Sequence, residues 1–221
     1  MQIPFRKTII ATAVAVLCAG CGGGGAATSP VQVGLYGDSL SYGNLNNGRI
    51  EHPPAERLQQ ALGSAAVVHD YSLGAATVWE ALGERSLWAA LPPNRLPFPP
   101  FATWVGRSPD QVLVIRYGGA DAILGESGSR FARGLERMVR MTMETGRRPV
   151  LVGLYQHPDH PEFDLFNDIV REVADATGAQ FIDIRAVPLA WPGDIGDGLH
   201  GTQETVDRWN AYIVQQLRPY L

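Results

Sequence analysis

The 221-residue sequence predicts a three-layer α/β/α sandwich around a parallel five-stranded sheet. Three observations lead there. From Val31 onward, short apolar runs alternate with stretches of helical period. The runs are continuously apolar, as strands are when helices cover both faces of a sheet. The length also suits one core, since a single core serves roughly 150–250 residues. The composition, 45% hydrophobic and 18% charged with 25 Gly and 16 Pro, excludes a disordered chain, a coiled coil or a collagen-like repeat. With 18 basic and 22 acidic residues the formal charge is −4, and past Lys7 every strongly basic residue is Arg. A chain of that sign without a Lys/Arg run argues against a nucleic-acid partner, which requires a basic face to meet phosphates.

Before the sandwich comes an address. Arg6 and Lys7 supply a positive end, and Thr8 to Leu17 a short apolar run. That run is far below the ~20 residues a permanent membrane helix needs. It ends in Leu17-Cys18-Ala19-Gly20-Cys21, followed by Gly22 to Gly25. Both cysteines of the chain lie here, so the domain that follows contains no internal disulfide. The segment resembles a bacterial lipoprotein signal, with Cys18 departing from the Leu usual three places before the modified Cys. The resemblance implies that residues 1–20 are a signal peptide, that Cys21 is lipidated, and that residues 21–30 form a Gly-rich tether. It implies an exported, membrane-anchored envelope protein, periplasmic or on the outer membrane. The alternative is ordinary cleavage between Gly20 and Ala27 and release of a soluble protein.

The domain then occupies residues 31–221. Val31 to Leu35, closed by Gly37, reads as the first strand, and Ala65 to Tyr71 as the second. Pro54 suits the first turn of a helix running to Leu62 between them. Gln111 to Arg116, after the turn pair Pro109-Asp110, is the third strand. Phe131, Leu135, Met138 and Val139 share a helical stripe, with Ser129 as N-cap and Gly146 as terminator. Pro149 to Leu154 is the fourth strand. Leu165, Phe166, Ile169 and Val173 form the next stripe, ending at Gly178. Gln180 to Ile184 is the fifth strand, and Val206, Trp209, Ile213 and Leu217 line a last helix after Thr202. Right-handed crossovers fold this order into the sandwich, with its chemistry at the carboxyl ends of the strands.

One stretch breaks the alternation. Leu87 to Asp110 holds a run of prolines between Pro92 and Pro100 and the rings of Trp88, Phe98, Phe101 and Trp104. It reads either as an apolar apron beside the active site or as a loop whose rings cover the sheet.

Gly37-Asp38-Ser39-Leu40 follows the first strand directly, placing the Ser39 hydroxyl in the crevice where a helix begins. A serine hydroxyl is a weak nucleophile at neutral pH and needs a base. Asp197-Gly198-Leu199-His200, just before the last helix, offers one: His200 to take the Ser39 proton, Asp197 to orient the imidazole and stabilise its protonated form.

With those blocks the chain resembles the SGNH or GDSL hydrolases, esterases and lipases with a flavodoxin-like sandwich, over residues 31–221. Gly37-Asp38-Ser39-Leu40 matches the family's first block, and Asp197-Gly198-Leu199-His200 its last. Gly74, in Tyr71-Ser72-Leu73-Gly74, stands where the second block has its Gly. Gly118-Gly119-Ala120-Asp121 meets the third block, whose pattern is Gly-x-Asn-Asp. The resemblance implies a serine esterase forming an acyl-enzyme on Ser39, with the N–H groups of Ser39 and Gly74 as oxyanion hole and no cofactor. Its substrate is a small-molecule, lipid or glycan ester. Ala120 departs from the pattern by removing the side-chain donor of that hole. Asn44, Asn46, Asn47 and Gln156 are candidates to stand in. Two further readings remain open: an O-acyl esterase or transferase of an envelope glycan, and a ligand-binding relative weakened at Ala120.

Other residues carry milder expectations. Asp38 braces its turn, and Asp121 caps the segment after the third strand. His157 and His160 sit at a strand's carboxyl end, where His157 is a candidate substrate contact. With Asp159 they match no common zinc pattern, and no metal is expected. His52 and His69 read as surface or core residues. Trp191 walls the pocket or packs the terminal helix.

Overall fold

The computed structural model describes residues 29–46, 48–84 and 100–221. The export segment, Cys21 and most of the tether lie outside those residues.

In chain order the strands are β1 (Val31–Gly37), the two-residue β2 (Asn44–Leu45) and β3 (Gly48–Arg49), β4 (Ala66–Asp70), β5 (Val112–Arg116), β6 (Arg148–Val152) and β7 (Gln180–Ile182). The helices are α1 (Ser39–Tyr42), α2 (Pro54–Leu62), α3 (Val78–Ala81), α4 (Phe101–Arg107), α5 (Gly119–Ile123), α6 (Gly128–Glu144), α7 (Glu162–Thr177) and α8 (Gln203–Leu217). Five strands form one sheet in the order β4-β1-β5-β6-β7, every pair parallel. All five residues of β5 are buried, as a continuous apolar run in mid-sheet requires. The edge strands β4 and β7 are partly exposed.

Right-handed crossovers set the layers. The chain moves one way from β1 to β4 through α2, and the other way from β5 to β6 through α6 and on to β7 through α7. Opposite directions put α2 on one face and α6 and α7 on the other. Helix α8 returns beside α2, and α6 and α7 pack on each other. The three-layer α/β/α sandwich follows. Pro54 opens α2, Gly178 ends α7 in the left-handed conformation at φ 76°, and the Thr202 side chain caps α8.

Several local expectations move. The fourth strand stops at Val152, two residues early, because the Leu154 N–H is taken by Asn167 Oδ1 at 2.8 Å. Gly153 permits this: a Cβ there would collide with the Asn167 side chain. The fifth strand stops at Ile182, where Asp183 accepts the Arg185 N–H and turns the chain into a 3₁₀ segment, Ile184–Ala186. Helix α6 begins at Gly128 because Ser127 holds the extended N-cap conformation, and Ser129 is already helical. Leu165 is 58% exposed, and Phe163 takes its place on the buried stripe of α7. Phe101 and Trp104 belong to α4 and cover the sheet: Phe101 meets Tyr36 edge-on at 5.2 Å and Trp104 lies 4.6 Å from Tyr71. For these two rings the covering reading holds; Leu87 to Pro99 lies outside the described residues.

Candidate active site

The site is built at the carboxyl end of β1. Gly37 must be glycine because a Cβ there would collide with the Ser41 side chain and the Arg116 carbonyl of the adjacent β5 exit. Asp38 follows as the N-cap of α1, fully buried, accepting the Leu40 N–H at 2.9 Å and the Ala120 N–H at 3.1 Å. It braces the turn and ties the exits of β1 and β5 together. Burial raises its pKa, opposed by those two N–H groups and by buried Arg116.

Ser39 is thereby the first residue of α1, and its Oγ lies 2.9 Å from His200 Nε2. His200 Nδ1 lies 2.9 Å from Asp197 Oδ2. Asp197 also accepts backbone N–H groups from Leu199 at 3.1 Å, His200 at 2.7 Å and Asn46 at 3.0 Å. Burial pushes its pKa up, but the His200 and Asn46 donors outweigh that and hold it down at about 2. Asp197 is an anion at neutral pH, placed to hold Nδ1–H and leave Nε2 free to accept from Ser39. The sequence brings all three residues together.

The loop carrying Asp197 and His200 is held from several sides. Gly198 takes φ 81°, and an isolated bridge joins Ile195 to Gly201. The Tyr155 hydroxyl donates to the Leu199 carbonyl. His157 accepts the Asp159 N–H on Nδ1 at 3.1 Å, which leaves its proton on Nε2 for the Gly198 carbonyl at 2.9 Å. Desolvation lowers the His157 pKa and favours this neutral form.

Beside Ser39 and His200 lies a cavity of about 140 Å³ whose walls include Asn44, Ala75, Ala120, Ile123, Leu124 and Phe163. The N–H groups of Ser39 and Gly74 donate to nothing among the described residues, while the Leu73 N–H on the Gly37 carbonyl at 2.9 Å holds the second-block segment against the β1 exit. Next to Gly74, Ala75 adopts φ 63°, a strained left-handed conformation in the pocket wall. Ala120 presents only a methyl to the cavity.

Three expected neighbours of the substrate lie elsewhere. His157 is 2% exposed with both ring nitrogens engaged, so it braces the Asp197–His200 loop and does not line the cavity beside Ser39. Gln156 is exposed and lines a second cavity together with His157 and Trp191. Trp191 packs edge-on against the His157 ring at 4.6 Å and walls that second cavity. Asp121 caps a different element than expected, accepting the Val78 N–H of α3 at 3.2 Å. His160 pairs with Glu162 at 2.9 Å, and His69 with Asp110 at 2.6 Å. Asn47 lies outside the described residues.

Sequence reasoning missed Ala75, Ile123, Leu124 and Phe163, which carry no reactive group to draw attention. It also missed the positioning roles of Asn46 and Tyr155. The Asn46 backbone takes φ 49°, and Asn's tolerance of that region was the one available signal.

A sequence profile described as the GDSL-like Lipase/Acylhydrolase family matches residues 35–208. No curated protein matches the sequence. Among solved structures, a carbohydrate acetylesterase family member from Sinorhizobium meliloti aligns with TM-score 0.67 at 22% identity, covering 86% of this chain and 98% of its own. An aryl esterase from M. smegmatis aligns with TM-score 0.66 at 19% identity, covering 86% and 100%. A psychrotrophic esterase from Pseudoalteromonas sp. aligns with TM-score 0.66 at 17% identity, covering 86% and 97%.

Proposed function

The chain belongs to the GDSL-like lipase/acylhydrolase family and is a hydrolase acting on ester bonds, and from that premise we propose that it is a serine carboxylesterase for short acyl groups. Ser39 Oγ attacks the ester carbonyl carbon as His200 Nε2 takes its proton, with Asp197 stabilising the imidazolium. The Ser39 and Gly74 N–H groups receive the oxyanion. On collapse the ester C–O bond breaks, and the leaving alkoxide takes the proton from His200. Water then attacks the acyl-enzyme, His200 accepts its proton, and the Ser39–acyl bond breaks to release the acid as the proton returns to Ser39 Oγ.

The carrying observation is the unbroken Ser39–His200–Asp197 chain, 2.9 Å at each step, opening on the cavity. At about 140 Å³ that cavity is well below the ~300–1,000 Å³ of pockets for drug-sized ligands, which favours a short acyl group. The test is a chromogenic ester series from acetyl to palmitoyl on the full-length protein, with Ser39→Ala as control. Turnover should be greatest for the shortest acyl groups and fall at least ~10⁴-fold in Ser39→Ala. Full turnover in that variant overturns the reading. Ester affinity without turnover in the wild type is the outcome expected of a ligand-binding relative weakened at Ala120.

The likeness to the acetylesterase from Sinorhizobium meliloti favours an acetylated glycan as the natural ester. We also propose export and anchoring through Cys21, resting on the residues around it. Lipid labelling lost in Cys21→Ala supports this, and unchanged labelling refutes it.

A further inference from the structure

We propose that the Asn44 side-chain amide donates to the oxyanion formed on the substrate carbonyl. This rests on the esterase reading above.

Four observations converge. Asn44 lines the cavity that also holds Ser39 and His200. Its carboxamide lies against Gly74: a Cβ built on that glycine would sit 3.0 Å from Asn44 Oδ1 and 3.2 Å from Nδ2. The Asn44 amide thus lies close to Gly74, whose backbone N–H donates to nothing among the described residues. Second, the Asn44 side chain is half-buried and hydrogen-bonds to nothing among the described residues. A carboxamide offers two donors and an acceptor, and one on the cavity wall can turn a donor to a ligand.

Third, Asn44 is held in place. It belongs to the β2–β3 hairpin, whose Asn46 N–H donates to Asp197 Oδ2 at 3.0 Å. Leu45 of the same hairpin packs on Gly196, where a Cβ would lie 2.5 Å from Leu45 Cδ1. Arg49 closes the hairpin base, donating to the Tyr42 carbonyl at 2.7 Å and pairing with Asp70 at 2.5 Å. One short element therefore touches the catalytic acid and presents an amide to the cavity, so Asn44 is positioned relative to the triad. Preorganisation of this kind makes an oxyanion donor effective, since nothing need reorient as charge develops. Fourth, Ala120 contributes a methyl to the same cavity and uses its own N–H on Asp38.

The test compares Asn44→Ala and the isosteric Asn44→Asp with wild type on a short-chain chromogenic ester, measuring kcat, KM, the pH profile of kcat/KM and thermal stability. Asp keeps the shape and loses the donor. Both variants should lose about 10²–10³-fold in kcat with KM changed less than about threefold. The pH profile should keep its midpoint in Asn44→Ala, because loss of a neutral donor to the oxyanion does not alter His200, whereas the Asp variant adds a charge beside it. Retained kcat in either variant overturns the proposal. So does a loss confined to KM, which marks a substrate contact only. A displaced pH profile in Asn44→Ala also overturns it, since the hairpin would then act through Asp197. Ser39→Ala separates the two levels: if that variant keeps turnover, the esterase reading itself fails, whereas an inactive Ser39→Ala beside a fully active Asn44→Ala removes only this proposal.

Discussion

His157 donates its Nε2–H to the carbonyl of Gly198 at 2.9 Å, joining the carboxyl end of β6 to the turn that carries Asp197 and His200. The loop between β7 and α8 is otherwise a surface segment, and a buried neutral imidazole beneath it braces the turn on which Asp197 and His200 sit. Both ring nitrogens of the histidine are spent on backbone groups, Nδ1 on the Asp159 N–H and Nε2 on the Gly198 carbonyl.

Replacing His157 with Phe should therefore leave the Gly198 carbonyl unpaired and loosen the loop. The expected cost is about 1–3 kcal/mol, read as a fall in Tm of roughly 2–10 °C. The kcat should fall while KM changes little. A variant with wild-type Tm and kcat contradicts the role assigned to this residue.

The same residue gives the fold a pH dependence with a definite sign. Burial lowers the folded pKa of His157 below its unfolded value of about 6.5. Its contribution to stability is fully present above pH ~6.5 and is lost as pH falls from there through the lowered folded value. Denaturant midpoints measured across that window should decline in the wild type and decline less in His157→Phe.

Asp197 acts in a more acidic window. Its folded pKa of about 2 lies below the ~3.9 of an unfolded aspartate. Its contribution, about 2 kcal/mol, is present above pH ~4 and is lost as pH falls through about 2. Asp197→Asn removes this acid-linked loss. In the same variant kcat should drop by about 10³–10⁴, because an amide no longer fixes the required imidazole tautomer. Unchanged turnover contradicts the role of Asp197.

How much of this was legible in the sequence depended on the kind of residue. The central strands announced themselves because Val112 to Ile115 is buried on both faces and so is apolar at every position. Ser39, Asp197 and His200 were legible because they sit in two short motifs, one at the end of β1 and one in the loop before α8. The β2–β3 hairpin was not, since two-residue strands rich in Asn and Gly have no apolar period to read. Helix α3 was overlooked, although Thr77 and Glu80 form a capping box visible as a Thr-x-x-Glu spacing. His157 was misplaced for another reason: a strand's carboxyl end carries side chains toward the crevice and toward the next loop alike, and only packing separates them.

Cavity size makes a further claim on specificity. Ile123 and Leu124 both line the cavity, and Ile123 is 38% exposed, so trimming them removes wall without opening the core. Ile123→Ala combined with Leu124→Ala should shift relative kcat/KM from acetyl toward butyryl and longer esters, measured on the chromogenic series. An unchanged profile contradicts the assignment of this cavity to the acyl group.

The nucleophile itself is open to direct chemical capture. Full-length protein treated with a fluorophosphonate probe and digested for peptide mass mapping should carry one adduct on the peptide containing Ser39, absent from Ser39→Ala and strongly slowed in His200→Ala. A wild-type protein that takes no adduct, or takes it on another residue, contradicts the central claim that an imidazole from the last loop activates the hydroxyl at the end of the first strand.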